Sequence, residues 1–180
     1  MSQAQSAVWL EPDRSKPAEA PKCNIVGVGN NPKKEVRIKE DPSAIAMCKV
    51  DLLKEIRLVD IVTNPKSEMV RDCLRVIDSL RYICLDLAFV DVFKKNPMLL
   101  RQLIAKDPDH LRKKIYVGFA GTTVWIEGST EPMIPMVWDA GYEVRSSYTP
   151  RMAGNDERAK FVIPIFEGNY WATKDKNRTR

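Results

Sequence analysis

The residue pattern changes character at Asp107-Pro108, and that switch limits the folds open to the chain. Upstream, Val70, Cys73, Leu74, Ile77, Leu80, Cys84 and Leu87 recur at the three- and four-residue spacing of an amphipathic helix. Thr63-Asn64-Pro65 offers a capping residue and a proline suited to the first helical position, so one long helix is expected to start there. Asn96-Pro97 repeats the signal for a shorter helix carrying Met98, Leu99, Leu100, Leu103 and Ile104, and Asp107-Pro108 closes it. Residues 45–62 alternate in places and read as one or two strands. Downstream, 115–126, 133–138, 142–148 and 160–173 are β-branched and aromatic, separated by Gly, Pro, Asn and Ser, which reads as sheet. The last of these contains a hairpin signal, Phe161–Phe166 and Tyr170–Thr173 around Glu167-Gly168-Asn169. Helices segregated from strands predict an α+β fold: a single compact domain, mostly antiparallel sheet packed with one long and one short helix.

The expected boundaries are a basic, proline-rich and disordered N-terminal tail over 1–43, a globular domain over 44–173 and a basic tail over 174–180. Residues 1–43 hold few large apolar side chains, too few to offset the entropy of ordering them. The formal charge of +5 favours anionic partners. Its concentrations are Arg14, Lys16, Lys22, Lys33, Lys34, Arg37 and Lys39 near one end, and Lys174, Lys176, Arg178 and Arg180 at the other. The longest charge-free apolar run, Ile115–Ile126, has 12 residues, against the roughly 20 needed to span a bilayer. The N-terminal sequence lacks a secretory pattern, and Cys23, Cys48, Cys73 and Cys84 show no metal-binding spacing, so reduced thiols in a cytosolic protein are expected.

No catalytic constellation emerges, and the expectation is a binding protein rather than an enzyme, with no metal or cofactor. His110 is the single histidine and lies in a polar Asp107-Pro-Asp-His turn. Gly27-Val28-Gly29 lacks the third glycine, the lysine and the helix of a phosphate loop. The pairs Asp107/Asp109 and Asp156/Glu157 read as surface charge. Arg112-Lys113-Lys114 fits either a helix C-terminus or an anion contact. Trp125, Trp138, Tyr148, Tyr170 and Trp171 fit either a core or a stacking surface for single-stranded nucleic acid. Met136 and Trp138 are expected in the core, because Pro135 and Asp139 bracket a short strand. Val8-Trp9-Leu10 is an apolar cluster in a polar segment and needs an outside pocket: a neighbouring subunit is the expectation, with a membrane interface or its own domain as alternatives.

The run Arg112-Lys113-Lys114-Ile115-Tyr116-Val117-Gly118, a strand to Ile126, the block Pro135-Met136-Val137-Trp138-Asp139 and then Ser146-Ser147 resemble, in order and spacing, the matrix proteins of rhabdoviruses of the vesiculovirus type. Leu58–Cys84 is similar to that family's strand, turn and long helix, and Phe161–Trp171 to its closing hairpin, so the resemblance covers about residues 54–173. It implies a viral structural protein that self-associates, condenses the helical nucleoprotein–RNA complex and lines the inner face of the virion envelope as a peripheral protein on anionic host membranes. Attachment to membrane and nucleocapsid is expected through the basic residues named above and self-association through Val8, Trp9 and Leu10, with Met98, Leu99 and Leu100 the local substitute for the family's apolar self-association patch. The chain departs from the family in lacking a dense N-terminal lysine run, Pro-Pro-x-Tyr and Pro-Thr-Ala-Pro motifs, and the long loop after the first helix. Small size and the absent budding motifs suggest a short, plant- or insect-infecting member, such as a plant-infecting cytorhabdovirus-like one. The runner-up is an RNA-binding module that uses the basic ends and the strand aromatics.

Overall fold

The computed structural model describes residues 6–15, 36–60, 69–150 and 158–168. The chain is α+β, with four helices and ten strands among those residues. The elements in chain order are β1 (Trp9–Leu10), β2 (Val36–Glu40), α1 (Pro42–Ile45), β3 (Val50–Asp51), β4 (Ile56–Val59), α2 (Val70–Leu80) and β5 (Ile83–Cys84). They continue with α3 (Ala88–Lys95), α4 (Pro97–Ile104), β6 (Lys114–Gly118), β7 (Thr122–Ile126), β8 (Ile134–Asp139), β9 (Val144–Thr149) and β10 (Ala159–Phe166).

The main sheet runs β4-β10-β6-β8-β9, and β5 also pairs with β10. β10 lies parallel to β6 through residues 159–162 and antiparallel to β4 through 163–166. β5 pairs with the same Ile165 and Phe166 that pair with β4, so β4 and β5 flank β10 on opposite edges. Pro164 has no N–H to give, and it falls between the stretch paired to β6 and the stretch paired to β5, where that loss costs least. β2 pairs with β7 and β1 with β3, both antiparallel.

Because strand side chains alternate between faces, β10 feeds two cores. Val162 and Phe166 join the first core, with Ile115, Val117, Val137 and Val144 of the sheet and Phe89, Val90, Phe93, Leu100 and Leu103 of α3 and α4. Phe161, Ile163 and Ile165 join the second, with Ile134 and with Val70, Cys73 and Ile77 of α2. The sheet is thus covered on one face by α3 and α4 and on part of the other by α2. Gly118 permits the second core to close, since a Cβ there would collide with the Phe161 ring and with Ile134 Cδ1 at 2.9 Å.

Several expectations need correcting. The long helix is shorter: α2 ends at Leu80 because Arg81 takes a left-handed backbone (φ 58°), which turns Ile83 and Cys84 into a strand on β10. Its expected start at Asn64-Pro65 lies outside the described residues. Phe89, Val90 and Phe93 form α3, a helix the periodicity did not separate from its neighbours. The short helix α4 stands as expected, with Pro97 in its first turn. The run 115–126 is two strands in two sheets, bent at buried Phe119-Ala120. The second arm of the hairpin signal, 170–173, lies outside the described residues.

The expected disordered tail is also corrected for 6–15 and 36–43. Leu10 is buried in the first core, Val8 N–H donates to Asp51 Oδ1 (3.1 Å) and Leu52 N–H donates to the Val8 carbonyl (2.8 Å). Arg14 is a clasp rather than a free cation. Its guanidinium grips the buried Asp86 carboxylate at 2.5 and 3.0 Å and donates to the carbonyls of Ala44 and Met47. Asp86 has 0% side-chain exposure, so without Arg14 its charge has no screening from water. Residues 36–40 form β2 on β7, and Asp41 caps α1 by accepting from Ser43 N–H.

Arg14→Ala is expected to destabilise the domain by about 3 to 5 kcal/mol, since it strands a buried charge; a urea melt of the full chain checks this. Burial, and then the charge of Asp86, hold the Glu40 carboxyl above its usual range, with Arg14 opposing. A raised carboxyl contributes stability below its unfolded pKa and loses it as pH rises through the folded value. Glu40→Gln is therefore expected to exceed wild type in stability at neutral pH, with the advantage vanishing as pH falls below the ordinary carboxylate range. A series of melts across pH reads the difference.

Candidate functional site

Register places a row of side chains on the α2 side of the main sheet. Trp138 of β8 pairs with Arg145 of β9, and Tyr116 of β6 lies one step along from the Val117–Val137 pair, which sets it beside Trp138. The Tyr116 and Trp138 rings meet at 5.6 Å between centroids, tilted by 60°. Lys114, two residues before Tyr116, holds its ammonium 5.1 Å from the Tyr116 centroid and 5.8 Å from that of Trp138. At the far end the Arg145 guanidinium stacks on Tyr142 at 5.6 Å and hydrogen-bonds its hydroxyl. Lys114, Tyr142 and Arg145 are exposed, and Tyr116 and Trp138 partly so. The hydroxyl of Ser147, two residues beyond Arg145, is buried with no hydrogen-bond partner.

Two devices hold this row. Gly141 adopts φ 97° in the β8–β9 turn and donates its N–H to Asp139 Oδ1 at 2.9 Å. Arg101 of α4 binds Asp139 Oδ2 (3.1 Å) and the Gly141 carbonyl (3.1 Å), fixing the hairpin from the opposite face. Among the described residues Lys114 has no carboxylate partner, whereas Arg145 shares Glu143 at 2.9 Å. That pair is half exposed on both sides and holds little energy against a competing anion.

The other basic residues separate into groups. Arg37 and Lys39 are exposed on one face of β2, where Arg37 pairs with Trp125 of β7. Arg112 is tied to Asp109 at 2.5 Å, while Lys113 is exposed. Lys16, Lys22, Lys33, Lys34, Lys174, Lys176, Arg178 and Arg180 lie outside the described residues, as do Tyr170, Trp171, Cys23, Gly27, Gly29 and the Asp156/Glu157 pair. Asp107 and Asp109 are not plain surface charge: both bind Lys160, and Asp107 is buried. Hydrogen bonds from Lys160 and then Arg112 hold the Asp109 carboxyl below its usual range. His110 Nδ1 lies 2.8 Å from the Asp107 carbonyl.

The expected self-association residues are corrected in part. Leu10 and Leu100 are wholly buried in the chain's own core and are not available to a neighbour. Val8 and Leu99 pack against that core, while Met98 is 55% exposed. Trp9 is 47% exposed, with Lys49 Nζ 4.2 Å above its ring. Trp138 and Met136 are only partly buried, with Met136 packed against the second core; the wholly buried apolar side chains of that strand are Ile134 in the second core and Val137 in the first, because the strand faces two cores and either phase satisfies the apolar pattern.

No family model, curated protein or solved structure matches the chain. Among the described residues no helix is long and apolar enough to cross a membrane, and no group of three or more His, Cys, Asp or Glu is placed to bind a metal.

Trp138→Ala is expected to leave the domain folded. Phe119→Ala, which removes a wholly buried ring lying 5.9 Å from Phe93, should cost about 3 to 5 kcal/mol. Urea denaturation of the two variants side by side checks the order.

Proposed function

We propose that the chain is a viral structural matrix protein, non-enzymatic, that self-assembles and bridges the inner leaflet of an envelope and a helical ribonucleoprotein. The observation that supports this reading best is the Lys114–Tyr116–Trp138 cluster. It sets a cation with no carboxylate partner among the described residues beside two rings on an accessible face, and its tryptophan belongs to the block, residues 135–139, on which the resemblance to rhabdovirus matrix proteins rests. A face of that kind suits a negatively charged partner that presents flat or apolar groups.

Attachment to the leaflet falls to the exposed Arg37 and Lys39, to the lysines of the two terminal segments, and to Trp9 with Lys49. Aromatic rings with flanking lysines favour the headgroup level, and each basic residue near an anionic surface contributes about 1 kcal/mol. Arg14 takes no part in this, and of the aliphatic residues expected to self-associate Met98 is the exposed one. A second reading, an RNA-binding module, is favoured by the placing of ring and cation on one sheet face.

Purified full-length protein is expected to form filaments or sheets in negative stain as salt is lowered. It should also float with phosphatidylserine vesicles and be released by salt, since screening weakens such contacts. A chain that stays monomeric at low salt and binds neutral vesicles regardless of salt contradicts the reading.

A further inference from the structure

We propose that the face formed by Lys114, Tyr116, Trp138 and Arg145 binds single-stranded RNA directly, stacking bases on the two rings and placing phosphates on the two cations. The inference deepens the ribonucleoprotein half of the function proposed above and rests on that reading.

Three observations favour RNA over the other anions such a protein meets. The first is the mix of groups: Tyr116, Trp138 and Arg145 lie on successive strands with Lys114 beside them. Neighbouring strands are about 4.8 Å apart, so the row spans roughly 10 Å of flat surface. Stacking on aromatic side chains, with basic residues following the backbone, is how sheet surfaces hold single strands. The second is exposure. Trp138 and Tyr116 are only partly exposed and lie against each other, so they have little apolar area to lose into a headgroup layer. A base uses the π face and needs no protrusion. Trp9, 47% exposed beside Lys49, is the better membrane anchor, and its ribbon packs on the first core, across the sheet from this row. The third is charge. Lys114 has no carboxylate partner among the described residues, and Arg145 holds Glu143 in an exposed pair that a phosphate can displace. A duplex would not serve, because its bases are stacked internally and do not reach the rings.

The test is fluorescence anisotropy of a short fluorescein-labelled oligouridylate titrated with the full chain at low salt. Trp138→Ala should weaken binding by on the order of tenfold or more, and Trp138→Phe, which keeps a stacking face, should recover most of the loss. Lys114→Gln should weaken binding and reduce the slope of log affinity against log salt by about 0.7. Lys95→Gln, on the exposed end of α3, should match wild type, and a duplex of equal length should compete poorly. Thermal melts accompany every variant; if Trp138→Ala does not fold, Lys114→Gln and Arg145→Gln carry the test.

Folded variants that bind the oligouridylate as wild type does would overturn the proposal. So would variants that lose vesicle flotation while RNA binding is unchanged, since the face would then be a membrane contact. Either result, with low-salt assembly intact, removes the RNA site and leaves the matrix reading standing. A wild-type chain that neither assembles nor floats, yet binds RNA through this face, removes the matrix reading instead.

Discussion

Strand β10 is the constraint on which the rest of the structure depends. It lies between β4 and β6, and all of Phe161–Phe166 is buried. Its two side-chain phases fill two cores that lie on opposite faces of the sheet. A one-residue slip against β6 would exchange those phases, sending Phe161 toward α3 and α4 and Val162 toward α2. Burial on both sides therefore fixes the register of β6, and through β6 that of β8 and β9. The row of Lys114, Tyr116, Trp138 and Arg145 is a consequence of that register.

The N-terminal clasp does a different job. Arg14 joins a segment with one buried leucine to Asp86, 72 residues away, and to the end of α1. Burying a carboxylate is costly unless it is matched, and here the Arg14 guanidinium supplies the match. Burial, and then the charge of Asp86, raise the pKa of Glu40 beside this junction, with Arg14 opposing. Lys106 plays a similar part on the β3–β4 turn, where its ammonium gathers the carbonyls of Leu52, Leu53 and Ile56. Arg14, which sequence patterning assigns to partners, is thus an internal fastener, as Lys106 is.

The fold class was legible because helix-period and strand-rich segments are segregated along the chain. α4 was legible from Asn96-Pro97, and β8 and β9 from their β-branched and aromatic residues between turn-forming ones. What escaped the sequence was set by distant partners. The end of α2 rests on a left-handed arginine at position 81, a residue type that gives no warning of it, while Cys84 and Leu87 preserve helical spacing by chance. Residues 6–15 look too polar to fold, and their order depends on Asp86 and on the first core rather than on local composition. Trp138 was expected inside because Pro135 and Asp139 bracket a short strand whose alternate side chains should face the helices. The candidate face was legible only as ingredients, a basic triplet and strand aromatics; pairing β6 with β8 is what selects Lys114, Tyr116 and Trp138 from a longer roster.

The central claim is that this face, and not the Trp9 edge, meets the nucleic acid. The most direct measurement is the indole N–H resonance of each tryptophan in a ¹H–¹⁵N spectrum, with Trp138 assigned by its loss in Trp138→Phe, during titration with oligouridylate. The account predicts a saturable shift of the Trp138 signal while that of Trp9 stays in place. A stationary Trp138 signal alongside a shifting Trp9 signal would contradict it.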